Sequence, residues 1–161
     1  MLIKRSLDQW KPAEHNGTFR GNNHAFVTAA AAIETYWKDS DLSNQISKRS
    51  AQIGEWLNRQ VVRFPDDIVR GKGRGMMRGL HCADPEKAAS VTQLAFQHGL
   101  IVERSGPEDE VVKLLMPITT PDDLLTEGLD ILENCCHMIF SRSAVEYSKI
   151  APERVPLQHV M

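Results

Sequence analysis

Aromatic residues make up only 6% of this 161-residue chain, cysteines number three, and neither sign of charge prevails. Lys and Arg total 19 against 21 Asp and Glu, a net of -2 with neutral histidines. So balanced a composition provides no global field to draw nucleic acid or anionic lipid. No apolar run approaches the ~20 residues that span a bilayer, and Met1 to Lys4 show no apolar core followed by a small-residue cleavage site. The expectation is a cytoplasmic chain with no nucleic-acid or membrane partner. Cys82, Cys135 and Cys136 are odd in number and lack the Cys/His spacing of a zinc site or a Cys-x-x-Cys pair, which points to buried free thiols. The histidines, His15, His24, His81, His98, His137 and His159, form no helical pair with an intervening glutamate, so no metal is expected.

What is present is ordinary for a globular protein: 42% hydrophobic and 25% charged residues. A chain of this length buries roughly 70% of its unfolded surface, enough for one real core. Met1 to Ile3 reads as the end of a buried strand, and the Ala-rich run Phe26 to Trp37 as a buried helix. Leu42, Ile46, Ile53, Leu57, Val61 and Phe64 recur with helical period after Asp39-Ser40-Asp41 and stop at Pro65, which predicts a long amphipathic helix. Asp84-Pro85-Glu86 opens a third helix that ends at Gly99, and Thr120-Pro121-Asp122-Asp123 opens a fourth that turns Leu124, Leu125, Ile131, Leu132, Cys135 and Ile139 inward. Gly75 to Cys82, Leu100 to Arg104 and Val111 to Ile118 are the strand candidates. The Ser105-Gly106-Pro107 turn makes the last two an antiparallel pair. The expected class is α+β, a small antiparallel-rich sheet with helices packed on one face. From Ser143 onward periodicity decays, and a loose tail is expected.

Two places could carry chemistry. Glu14 to Asn22 reads EHNGTFRGN, small and amide residues with two glycines just ahead of a helix. Gly17 would let the main chain approach an anion, Thr18 offers a hydroxyl, and the following helix contributes its positive end. A plain loop with capping amides fits the same letters. Val69 to Gly79, VRGKGRGMMRG, is rich in glycine and cations, yet it lacks both the P-loop and the dinucleotide fingerprint.

Over a longer span, LDQWKPAEHNGTFRGNNHAFVTAAAA, GRGMMRGL, GLIVERSG, VVKLLMPIT and DLLTEGLDILE occur in an order that resembles the C-terminal part of the class-III pyridoxal-phosphate aminotransferases. The likeness runs from Leu2 to Phe140. Where the common family form has two glycines and Asn-Pro, this chain has Arg20-Gly21-Asn22-Asn23, wording similar to the diaminobutyrate–2-oxoglutarate transaminases of ectoine and siderophore pathways.

The resemblance implies the small domain of a fold-type-I transferase, with residues 1–38 a remnant of the large coenzyme-binding domain, 39–142 the small domain and 143–161 a tail, and it makes Val69 to Gly79 the entry into the small-domain sheet. It implies pyridoxal 5'-phosphate as coenzyme, amino acid and 2-oxo acid as substrates, and a homodimer in which Gly17 and Thr18 complete the phosphate site of the second subunit. The family's Schiff-base lysine belongs to a Gly-rich Ser-Lys segment that this chain does not contain, so the isolated chain is expected to be inactive. Lys113 stands where many relatives place a substrate-gripping arginine; an ammonium can hold a carboxylate without the bidentate fork. An edge-strand lysine exposed to water is the alternative reading of Lys113. Two alternatives stand beside this one: a non-catalytic module that docks on a transaminase subunit, and a piece of an acetylornithine, ornithine or 4-aminobutyrate transaminase.

Overall fold

The computed structural model describes residues 4–14 and 17–141. The strand expected at Met1 to Ile3, His15 and the tail 143–161 lie outside the described residues. The chain separates into two compact units, Met1–Asp41 and Leu42–Met161.

In the first unit, a 3-10 turn at Arg5–Leu7 is followed after the Gly-rich loop by α1, Asn23–Tyr36. Asn22 caps it: its side-chain oxygen accepts from the Ala25 N–H at 3.1 Å, which satisfies one of the donors every helix start leaves open. The helix is where its alanines place it, but the expected burial is absent. None of its residues is buried. Phe26 and Ile33 share one face, Val27 lies about 100° away, and alanines fill the rest, so no single stripe could be met by one neighbour.

The second unit takes up α2, Asp41–Arg63, from its second residue onward. Its start is tied by the Asp39 carboxylate, which accepts from the Asp41 N–H at 3.0 Å. The stripe expected from sequence is real: Leu42, Ile53, Trp56 and Leu57 are buried, and Phe64 just past the end is buried too. Next come β1, Ile68–Arg74, and β2, Met77–Cys82, then α3, Pro85–Gln97, β3, Glu103–Ser105, β4, Val111–Leu115, and α4, Asp122–Phe140. Asp84 accepts from the Glu86 N–H at 2.9 Å with Pro85 at the first helical position, and Gly99 closes α3 at φ +84°.

The sheet has four strands in the order β1-β2-β4-β3, every pair antiparallel. Two of the three expected strands are present in shortened form as β2 and β4, the third is displaced, since β3 shares only Glu103 and Arg104 with the expected Leu100 to Arg104 and runs on to Ser105, and β1 is an addition. Alternation divides the sheet into two faces. Ile68, Leu80, Cys82, Val112 and Leu114 join the core with α2, α3 and α4. Arg70, Lys72, Met77, Gly79, His81, Lys113 and Glu103 alternate onto the other face. The architecture is therefore the expected α+β layer, with helices against one side.

From α4, Leu125, Leu129, Leu132, Cys135, Cys136 and Ile139 are buried, whereas Leu124, expected inward, is exposed. It sits one residue, about 100°, off the stripe that the core takes up. Each fully buried aliphatic side chain contributes about 1.5–3 kcal/mol. Among the described residues, no helix is long and apolar enough to cross a membrane.

Candidate functional site

Gly17 and Thr18 lie together in one turn of the first unit. The Arg20 N–H donates to the Gly17 carbonyl at 3.1 Å, Gly21 takes φ +92°, and Asn22 then caps α1. The positive φ at Gly21 is open to glycine and strained for a β-carbon, so the loop can turn sharply into the helix. Thr18 is exposed and lies five residues ahead of Asn23, the first residue of α1. A β-carbon at Gly17 would fall 2.9 Å from Arg20 Nε, so glycine leaves room for the guanidinium stem to fold over the turn. A hydroxyl, a guanidinium and a helix start within seven residues are chemistry that fits an oxyanion such as a phosphate.

Lys113 belongs to the second unit, on β4. Register places Glu103 of β3 directly opposite. The Lys113 Nζ lies 2.5 Å from Glu103 Oε2, with side-chain exposures of 27% and 69%. The hydrogen bond and charge of Lys113 hold the Glu103 carboxyl below the usual carboxylate range. Both residues line a cleft of about 510 Å³ whose other walls are mostly aliphatic, among them Leu115 at the end of β4, Met116 just after it, and Leu124 and Leu129 of α4. A mostly apolar cleft with a few polar groups converging on it is the usual form of a small-molecule site. Sequence reasoning found Lys113 and missed Glu103. The antiparallel β3/β4 turn was legible, and pairing residues across it would have brought the two together.

A second charged group sits at the other end of β4. Glu110 is 3.8 Å from Lys72 and 4.0 Å from His81. Its carboxyl is held below the usual range, chiefly by its own backbone N–H, then by that of Glu108 and by the charges of Lys72 and His81. The cysteines behave as expected. All three are free and buried. Burial, with the nearby Asp67 and Asp84 charges, pushes the Cys82 thiol up to about 12, and burial pushes Cys135 and Cys136 up as well, so none is a ready nucleophile. Among the described residues, no group of three or more His, Cys, Asp or Glu side chains could hold a metal.

With this geometry in hand, the likeness to known proteins can be placed. The profile of the family described as Aminotransferase class-III matches residues 3–136. The diaminobutyrate–2-oxoglutarate transaminase of Vibrio parahaemolyticus is 46% identical over 142 residues, covering 88% of this chain and 34% of that protein. The enzyme of the same name from Vibrio cholerae is 48% identical over 133 residues, covering 83% and 32%. Among solved structures, the N-acetylornithine aminotransferase of Stenotrophomonas maltophilia superposes with a TM-score of 0.63 at 23% identity, covering 76% of this chain and 33% of that one. The ornithine aminotransferase of Toxoplasma gondii gives 0.67 at 21% identity, covering 80% and 30%. The chain thus spans about a third of the length of the curated relatives it matches, and at these identities the structures speak for the fold alone.

Proposed function

Because the chain belongs to the class-III aminotransferase family, we propose that it is part of a diaminobutyrate–2-oxoglutarate transaminase. The reaction moves an amino group between L-2,4-diaminobutyrate and 2-oxoglutarate, with aspartate semialdehyde and glutamate as the counterpart pair. The observation that carries the reading is identity of 46% and 48% to two enzymes of that name across 88% and 83% of this chain.

Pyridoxal 5'-phosphate, when bound, supplies an electron sink for the transfer. The residues of this chain do the rest that falls to them. The Gly17–Thr18 turn binds the coenzyme phosphate, the hydroxyl donating and the N-terminus of α1 adding its partial positive charge. Lys113 holds a substrate carboxylate at the mouth of the aliphatic cleft, where low local polarity strengthens the contact. In this reading residues 1–38 belong to the coenzyme domain and 39–142 form the small domain. The working enzyme is a cytoplasmic homodimer in which Thr18 of one subunit faces the coenzyme of the other, and the Schiff-base lysine is supplied by polypeptide beyond these 161 residues.

The test has two steps. Pyridoxal phosphate added to the purified chain and reduced with borohydride should leave no stoichiometric lysine adduct. Co-expression with a polypeptide equivalent to the remaining two-thirds of the Vibrio cholerae relative should give a complex that consumes 2-oxoglutarate with diaminobutyrate and stays silent with acetylornithine, ornithine or 4-aminobutyrate. A stoichiometric adduct on the chain alone, or turnover that prefers one of the other three donors, overturns the proposal.

A further inference from the structure

Side-chain hydrogen bonds join α2 to α4 on either side of a buried stretch. Gln52 Nε2 donates to Thr126 Oγ1 at 3.0 Å, and Arg63 donates to Glu133 Oε1 at 2.9 Å. At about 100° per residue, Trp56 and Gln60 fall within an arc of about 80° that also holds Gln52 and Arg63, so all four share the side of α2 that meets α4. Gly54 and Leu57 lie outside that arc, on the side approached by Arg78 of β2 and Gly71 of β1.

Trp56 and Gln60 are therefore interior residues of a helix–helix contact, at 1% and 0% exposure. Between Thr126 and Glu133, the buried residues of α4 are Leu129 and Leu132, whose side chains offer no hydrogen bond. An indole and a primary amide sit against them all the same. Trp56 Nε1, Gln60 Oε1 and Gln60 Nε2 are enclosed, and none has a hydrogen-bond partner among the described residues. A buried polar group left dry costs stability, and a leucine would fill a similar space without that cost. Here three such atoms belong to two residues one helical turn apart, which are neighbours on the helix surface. A single ligand site can meet them together.

Their chemistry narrows the ligand. The indole nitrogen and the amide nitrogen donate, whereas the amide oxygen accepts. An anion would serve the donors alone and a cation the oxygen alone, and the nearby charges of Arg63 and Glu133 already neutralise each other. Water donates and accepts at once, and it is small enough to be held inside a protein by a few hydrogen bonds. One water that accepts from Trp56 Nε1 and donates to Gln60 Oε1 satisfies two of the atoms. A second, bonded to the first and accepting from Gln60 Nε2, satisfies the third.

We propose that α2 and α4 enclose an internal hydration site, with Trp56 and Gln60 as its protein ligands. The contact between the two helices is then wet between its cross-links, and Gln60 contributes through the water it holds rather than through apolar packing. The site does not depend on the transaminase reading.

The test is water-to-protein cross-relaxation NMR on the intact, isotopically labelled chain. The Trp56 indole proton, told apart from those of Trp10 and Trp37 by its disappearance in Trp56→Phe, should show a cross-peak to water. In the rotating frame that peak should carry the sign of a held molecule, opposite to that of hydrogen exchange. The Gln60 amide protons should show the same. Gln60→Leu should abolish the indole cross-peak and lower the urea unfolding midpoint at constant slope, because it removes the second anchor of the water and leaves the indole dry. Wild-type protein with no such cross-peak at Trp56 and Gln60 overturns the proposal, an outcome that needs no variant to fold. An indole cross-peak undiminished in Gln60→Leu also overturns it. So does a midpoint that rises in that variant, the result expected from relieving a dry amide.

Discussion

Arg49 ties α2 to the start of α4. Its Nε donates to Asp122 Oδ1 at 2.8 Å and one terminal nitrogen to the Ile118 carbonyl at 3.0 Å, while the other reaches Gln45 at 3.3 Å. The guanidinium is itself buried, at 7% exposure. Arg49→Met keeps the aliphatic stem and removes every donor, leaving the Ile118 carbonyl without this one. The expected loss is about 2 kcal/mol, read from urea unfolding midpoints at constant slope. On sequence alone Arg49 is one more cation on an amphipathic helix, because the partners that bury it lie 69 and 73 positions away.

Asp122 extends the same cluster to pH. Hydrogen bonds from Lys48 and Arg49 hold its carboxyl below the usual range. A carboxylate whose folded pKa is depressed contributes stability above its unfolded pKa, near 4, and loses it as pH falls through the folded value. Glu103 and Glu110 are displaced in the same direction, the first by Lys113 and the second by backbone N–H groups. The second unit should therefore weaken progressively below about pH 4. In thermal melts across pH 2–7, Asp122→Asn should flatten that acid limb; an unchanged limb would show that the depressed pKa carries no stability.

At the scale of elements, α2 and α3 were legible from period and cap, with the Leu42 to Phe64 stripe in one and Asp84 before Pro85 and Gly99 after the end in the other, whereas α1 was read from its alanines. β1 was not, and the reason lies in its inward positions. Gly71 and Gly73 occupy the slots where a strand normally shows Val or Ile, and glycine lowers strand propensity. At Gly71 a β-carbon would lie 3.3 Å from Leu57 Cβ, so the small residue is what lets α2 approach the sheet. At Gly73, φ is +94° and a β-carbon would fall 2.2 Å from the Met77 carbonyl oxygen. The basic, glycine-rich run that the resemblance makes the entry into the small-domain sheet is a strand pressed under a helix, with its cations on the open face. Gly73→Ala should cost at least about 2 kcal/mol through strain and collision together, and the loss of protection should appear first in the amides of the β1–β2 hairpin by hydrogen exchange.

For the whole molecule, local sequence determines more than packing does. The loop after Glu14 and the capped start of α1 could be read in advance, since turn and cap are short-range chemistry. Burial of α1 could not, because burial depends on what lies across from a helix, and its own letters do not name that neighbour. Phe26 at 60% exposure, with Val27 and Ile33 also exposed, gives one helix a set of apolar side chains larger than scattered surface residues require. Such a surface associates with whatever apolar face it meets.

The purified chain should therefore self-associate with rising concentration in sedimentation velocity, more strongly in sulfate, which strengthens apolar burial. Replacing Phe26 and Ile33 together by Ser should return it toward the monomer. Neither side chain is buried, so each replacement should change the unfolding free energy by no more than about 0.5 kcal/mol. A double variant that associates as strongly as wild type would place the adhesive surface elsewhere. One that unfolds several kcal/mol more easily would show that the two replacements disturb the fold as well as the surface.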